Sequence, residues 1–198
     1  MKNKNIKFIF GFLLPFMIYG QFNDNYNGAG LDIGSNGSGV FITKSSLHSS
    51  GKISLNGELR FYDIKAKDET VVYDYYSGQY KDVGGISLVM FPFLIGSNYY
   101  PFSGKIENNF SPFITARGGM VLTLDGDESG TSYERWRMAS TQVSPGGFLG
   151  LGIDFKMVGQ TTVSTMVGLE LIKLKKMADN NKDYSGFLIH IAFNRRSK

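Results

Sequence analysis

The chain of 198 residues contains no cysteine. That absence excludes a disulfide framework, a thiolate metal site and a lipid-modified N-terminal cysteine. Histidine is scarce as well: His48 and His190 are the only two, so a multi-histidine metal or catalytic centre is not available, and no cofactor is expected. Charge of one sign is also missing. The formal net charge is +4, but Lys2, Lys4 and Lys7 fall within the first seven residues, and without them 18 basic residues stand against 17 acidic ones. A nucleic-acid partner normally demands a strongly basic face, so none is expected. Finally, no apolar run reaches the ~20 residues that a membrane-crossing helix requires.

The longest apolar run, Phe8 to Tyr19, follows the three lysines and ends at Gly20. A basic start, an apolar core of about a dozen residues and a small residue before the break make an export signal, and residues 1–20 are expected to be removed after Gly20. Gly20 suits the position before the cut, and Ile18 fits the usual small-residue pattern less well. About 178 residues remain, the size of one domain.

What the chain has in quantity is glycine and aromatic residues: 25 Gly, 11 Tyr and 16 Phe, against 5 Pro. These accompany alternation of period two, the signature of strands with one apolar and one polar face. Over 52–63, Ile53, Leu55, Gly57, Leu59 and Phe61 fall on one face, and Lys52, Ser54, Asn56, Glu58, Arg60 and Tyr62 on the other. A helix would scatter the same positions around its circumference. Residues 144–157 set Leu149, Leu151, Ile153, Phe155 and Met157 against Gly150, Gly152, Asp154 and Lys156. Similar splits run through 110–124, 161–171 and 184–194, although Leu169 to Met177 alone also fits a short amphipathic helix. Residues 84–98 are an almost unbroken apolar run interrupted by Pro92, expected to be a strand lined inside by bulk. Two short strands, Ala29–Gly34 and Ser38–Ser46, are expected around a Ser35-Asn36-Gly37 turn; if they are one strand, the eighth comes from Thr70–Ser77.

The fold class expected is therefore all-β: a single closed antiparallel up-and-down barrel of about eight strands, transmembrane. Residues 21–27 are a short N-terminal segment, 28–194 the barrel and 195–198 a basic tail. Such barrels have short periplasmic turns and longer outer loops, which assigns 47–50, 100–109 and 158–160 to the inside, and 35–37, 64–83, 125–142 and 176–183 to the outside. With apolar rows facing lipid, the polar rows bring Asp32, Glu58, Arg60, Arg117, Asp154, Lys156, Glu170 and His190 into the lumen. Eight strands leave an interior that side chains fill, and charges buried there must be paired. A plugged, non-conducting lumen with a structural charge network follows.

The N-terminal signal, the runs SPFITARGGMVLTL (111–124) and SPGGFLGLGIDF (144–155), and the closing strand FLIHIAF resemble the small outer-membrane β-barrel proteins of Gram-negative bacteria, a group similar to the OmpA transmembrane domain and OmpX. The resemblance spans most of 28–194 and includes no catalytic motif. It implies an outer-membrane location, outer-membrane lipid as the surroundings and a monomer. Two departures are the extension Asn194 to Lys198 beyond the aromatic Phe193, and the lack of a following peptidoglycan-binding domain.

Other signals have plainer explanations. Asp125 to Gly130 copies the opening of a calcium loop, but Trp136 stands where the bidentate glutamate is needed. The glycines of 146–152 alternate within a strand and relieve crowding in the barrel rather than cradle a nucleotide. Some outer-membrane barrels modify lipid A with a histidine, a serine and an acid; here His190 points into the lumen and His48 sits in an inner turn, so no enzyme is expected. Tyr73, Tyr75, Tyr76 and Tyr80, with Trp136, are either contact residues on outer loops or, with Tyr99 and Tyr100, aromatic girdles at the membrane interfaces. The function expected is a non-enzymatic, structural or surface-interaction barrel whose outer loops meet an extracellular partner. The alternatives are a soluble periplasmic barrel holding a small apolar ligand, with Glu58, Arg60, Asp154 and Lys156 turned outward, and a lipid A-modifying enzyme. The first step is open to direct test: N-terminal sequencing of the exported protein is expected to begin at Gln21, and retention of residues 1–20 would refute the signal assignment.

Overall fold

The computed structural model describes residues 22–64, 70–83, 88–106, 109–126, 132–137 and 139–197. The expected signal, 1–20, lies outside them, as do residues 127–130 of the calcium-like run. The elements in chain order are β1 (Phe22–Gly34), β2 (Gly37–His48), β3 (Ile53–Ile64), β4 (Thr70–Asp74), β5 (Gln79–Val83), β6 (Leu88–Tyr99), β7 (Phe110–Asp125), α1 (Ser132–Arg137), β8 (Ser140–Lys156), β9 (Thr161–Ala178), β10 (Asn181–Asp183) and β11 (Gly186–Arg196).

Eight of these strands close one antiparallel barrel. β1, β2, β3, β6, β7, β8, β9 and β11 each pair with the next, and β11 returns to β1 from Tyr26↔Arg196 to Gly34↔Leu188. β10 adds a short flange to β9, while β4 and β5 pair only with each other. The strands are 11 to 18 residues long, enough for a tilted crossing of hydrocarbon, which takes about 9–11 residues.

The two faces settle which way round the barrel is. On β3 burial alternates without a break: Ser54, Asn56, Glu58, Arg60 and Tyr62 are buried and Ile53, Leu55, Leu59 and Phe61 exposed. The same holds around the circumference, where Leu31, Ile42, Phe93, Ile114, Leu151 and Val167 all point outward. A water-soluble monomer does not expose a continuous apolar band; a barrel in a bilayer must. A soluble barrel with inward apolar rows is therefore excluded, since Glu58 and Arg60 lie inside.

Several boundaries differ from expectation. β1 begins at Phe22, so 22–27 belongs to the barrel, and β11 runs through Arg196, so Arg195 and Arg196 are strand rather than tail. Pattern hides both ends because these parts extend beyond the apolar belt: the outward residues Asn23, Asn25 and Asn27 are polar, which erases the alternation. β9 continues as strand to Ala178, removing the helical option for Leu169–Met177. It turns at Asp179 and Asn180, whose φ values of 45° and 52° form a left-handed pair, the geometry that suits a two-residue hairpin and that Asp and Asn tolerate. The eighth strand is not 70–77, because that segment forms the outer β4–β5 hairpin.

Glycine supplies room rather than flexibility at the β8–β9 seam. Gly150 and Gly168 face each other across it, and the ring of Phe148 lies over both; a Cβ on Gly168 would sit 2.2 Å from the Leu149 carbonyl oxygen and 2.8 Å from Phe148 Cζ. Gly168→Val is expected to cost about 1–3 kcal/mol of overpacking, measured as a lower urea midpoint and a smaller heat-modifiable fraction on gels after refolding in detergent; wild-type behaviour would refute the close packing.

Candidate functional site

The middle of the lumen is an ionic layer. Neighbouring positions on β3 put Glu58 and Arg60 on the same inward row, and β1, β7, β9 and β11 add Asp32, Arg117, Glu170 and His190. All six are less than 10% exposed. Arg60 donates through Nε to Glu58 and through Nη1 to Glu170 Oε1 at 2.8 Å, with Asp32 Oδ2 at 3.4 Å. Arg117 donates to the other Glu58 oxygen and to Thr115 Oγ1 at 3.3 Å. His190 Nδ1 lies 2.6 Å from Asp32 Oδ1, and its Nε2 3.5 Å from Glu58 Oε2. Both guanidiniums therefore share one carboxylate.

Aromatic rings complete this layer. Phe41 stacks on His190 with centroids 3.8 Å apart and 16° between planes, and Phe148 lies beneath Arg60 and Arg117 at 5.6 and 6.0 Å. A cation over a ring face is attracted to it, more strongly where water is excluded. Phe41 and Phe148 stand outside the set expected from the sequence. Their signal is legible all the same: each sits on an inward row with glycine two residues away, Gly39 before Phe41 and Gly146 and Gly150 around Phe148.

Asp32, Glu58 and His190 offer ligand atoms within 4.8 Å of one another. A cation there would have to displace guanidinium groups already bound to both Glu58 oxygens, so the donor set suits an ion-pair network better than a metal.

Above this layer, toward the long loops, the lumen is apolar. Tyr62, Ile64, Leu88, Met90, Val121, Ile172, Leu174 and Leu188 are buried in one cluster, closed by hydrogen bonds from Tyr184 to the Ala178 carbonyl (2.8 Å) and from Tyr62 to the Gly37 carbonyl (3.2 Å). The inward rows are polar in the middle and at the inner end, while hydrocarbon fills the outer end, to which β6 contributes Leu88 and Met90 as expected of a strand lined inside by bulk. Below the layer, at the end carrying the short turns, the interior is polar and partly open, with a cavity of ≈ 200 Å³. Asp154 stands half-buried in its wall, and Lys156 is exposed at the rim rather than inside, because β8 ends there. Tyr100, a candidate for a girdle, instead points inward and is buried, whereas Tyr99 is exposed on the outer wall.

The tyrosines of the outer loop lie on the β4–β5 hairpin. Tyr73 and Tyr80 pair directly across it, with ring centroids 5.1 Å apart, and Tyr75 meets Tyr73 edge-on at 5.2 Å. Asp74 organises the turn, accepting from Tyr76 N and Ser77 Oγ at 2.9 Å each. Tyr75 and Tyr76 are almost fully exposed, and Trp136, on α1, is 44% exposed. His48, expected in an inner turn, is instead the last residue of β2, paired with Phe22 and set against Ser50 Oγ at 2.8 Å.

No family model matches the sequence, and no curated protein matches it. Solved structures do. The Neisserial surface protein A structure aligns with a TM-score of 0.56 at 10% identity, over 88% of this chain and 96% of that one. A major outer membrane protein from Thermus thermophilus aligns with a TM-score of 0.51 at 10% identity, over 88% of this chain and all of that one. The chain has the fold of the small eight-stranded outer-membrane β-barrels, and its apolar belt sets it in a bilayer.

Arg60→Met is expected to leave Asp32, Glu58 and Glu170 short of a partner and to cost about 3–5 kcal/mol. Arg196→Ala, which loses only an exposed pair with Asp24, is expected to cost less than about 1 kcal/mol. Urea unfolding of both variants in detergent or vesicles checks the contrast; equal effects would refute the central role of the layer.

Proposed function

We propose that this protein is a non-conducting outer-membrane barrel that acts at the cell surface as a monomer, with no catalytic role, presenting its outer loops to an extracellular partner. The observation that carries this reading is the sealed lumen. Ion pairs drawn from five strands cross its middle, and a hydrocarbon plug fills the end above them. Eight strands leave no wide channel between such side chains. A lumen held shut in this way serves a rigid platform rather than a pore.

A platform makes the loops the working part. The hairpin of β4 and β5 groups Tyr73, Tyr75 and Tyr80, and tyrosine provides large, stiff, amphipathic contact area at low entropic cost. Ring-to-ring contacts among the three hold them in one arrangement before any partner arrives. Trp136 on α1 extends the set of exposed aromatics on the outer loops.

Catalysis is disfavoured by the histidines themselves. His190 is fully buried, stacked under Phe41 and bonded to Asp32 inside the barrel, where no lipid substrate reaches it. A catalytic base has to stand within hydrogen-bond reach of the proton it takes.

Two measurements test the proposal together. Purified protein in planar bilayers is expected to give no conductance steps, and stepwise openings would overturn the sealed-lumen reading. Replacing Tyr73, Tyr75 and Tyr80 with Ser is expected to leave heat-modifiable migration intact while reducing attachment of expressing cells to protein-coated surfaces; unchanged attachment would remove the hairpin from the contact role.

A further inference from the structure

The cavity below the ionic layer has no part in the surface role. It is a vestibule of ≈ 200 Å³ whose mouth is framed by turn residues such as Gly51, Ser103 and Gly104 and whose floor is Arg117 and His190. Beyond that floor the ionic layer and the apolar plug close the barrel, so anything that enters from the periplasmic side leaves by the same side.

The hydrogen bonding inside the vestibule is selective. Asp154 has both oxygens engaged, one accepting from Ser164 Oγ at 2.5 Å and the other from Tyr100 OH at 2.8 Å, and Asn194 Nδ2 donates to Ser164 Oγ at 2.9 Å. On the opposite wall Asn56 Nδ2 donates to Asn98 Oδ1 at 2.8 Å, and Ser54 Oγ reaches Asn56 Oδ1 at 3.4 Å. The weak point is Arg117: one of its terminal nitrogens binds Glu58, but Nη2 has the Met166 thioether at 3.2 Å. Sulfur is a poor acceptor. A buried guanidinium donor at the floor of a polar cavity is thus left facing room for a better oxygen.

Charge narrows the class of ligand. Arg117 already donates to Glu58, and both Asp154 oxygens already accept from hydroxyls. An incoming anion or cation would have to displace these bonds before pairing with either group. A neutral molecule rich in hydroxyls would meet amides, hydroxyls and the open Arg117 donor, with the rings of Tyr100 and Phe113, 5.4 Å apart and tilted, offering faces to its C–H groups. The volume falls below the ~300 Å³ at which drug-sized sites begin, which points to something of monosaccharide size. We propose that the vestibule is a binding site for a small neutral polyhydroxylated molecule taken from the periplasm.

The test is a titration of the isotope-labelled barrel, refolded in detergent micelles, with glycerol, D-glucose and myo-inositol, and in parallel with sodium acetate and methylammonium chloride. Nuclear magnetic resonance of the Asn56, Asn98 and Asn194 side-chain amides and of Arg117 Nε–H is the readout. Saturable shifts with at least one polyol, and none with either ion, are expected. Asn98→Leu is expected to weaken that response by about tenfold, one hydrogen bond's worth. Ser45→Trp, which puts an indole into the vestibule across the strand pair from Asn56, is expected to abolish it. Absence of saturable shifts with all three polyols would mean that water alone occupies the vestibule and would overturn the proposal. Saturation by acetate or methylammonium, or a polyol response that survives Ser45→Trp, would overturn it equally.

Discussion

Hydrocarbon offers no partner to a backbone amide or carbonyl, and everything else in this protein follows from meeting that demand. An open sheet would leave two edges unpaired at several kcal/mol per group, so β11 must return to β1, and it does so over nine residue pairs from Tyr26↔Arg196 to Gly34↔Leu188. Closure with eight strands then sets the width of the interior, and the width requires side chains to fill it. Neither the ionic layer nor the plug would be needed in a wider or a flatter sheet.

Once the interior is narrow, its polar residues lose water and have to satisfy one another. Glu58 does most of this, because its two oxygens take both guanidiniums, while Asp32 stands beside the same Arg60 Nε and Glu170 takes Arg60 Nη1. Phe148 fills the space below the cations, and it has room only because Gly150 and Gly168 carry no side chains beside it. The layer is thus a joint product of ion pairing and of glycine placement. It also divides the lumen into two compartments with different chemistry: dry toward the long loops, polar toward the short turns. The first suits a rigid platform for outer contacts, and the second leaves a concavity that the platform itself does not require.

Much of this is legible in the residues themselves. The inward row of β3, from Ser54 through Tyr62, is readable because one face of that strand meets lipid and the other meets charge, so alternation is strong. Asp32, Arg117, Glu170 and His190 follow from the same rule. It fails at three kinds of place. Residues 22–27 and 195–196 lie past the apolar belt, where the outward residues are polar and no lipid-facing row remains. Along β6, Leu88, Met90 and Leu94 face inward while Phe93 and Ile95 face lipid, so apolarity on both faces hides the period altogether. Lys156 keeps the inward phase but stands at the end of β8, where phase no longer implies burial.

By itself the sequence determined the class of the fold and the strand faces, because these depend on period two and on which residue types tolerate lipid. Only the tertiary structure decided which charges meet. Arg60 and Glu170 are 110 positions apart, and His190 and Asp32 are 158 apart. Their contact depends on the register and closure of the barrel, which local pattern does not encode. The same is true of the apolar seal and of the vestibule: each is assembled from inward residues of several strands that share a depth, and depth is a property of the closed barrel rather than of any one strand.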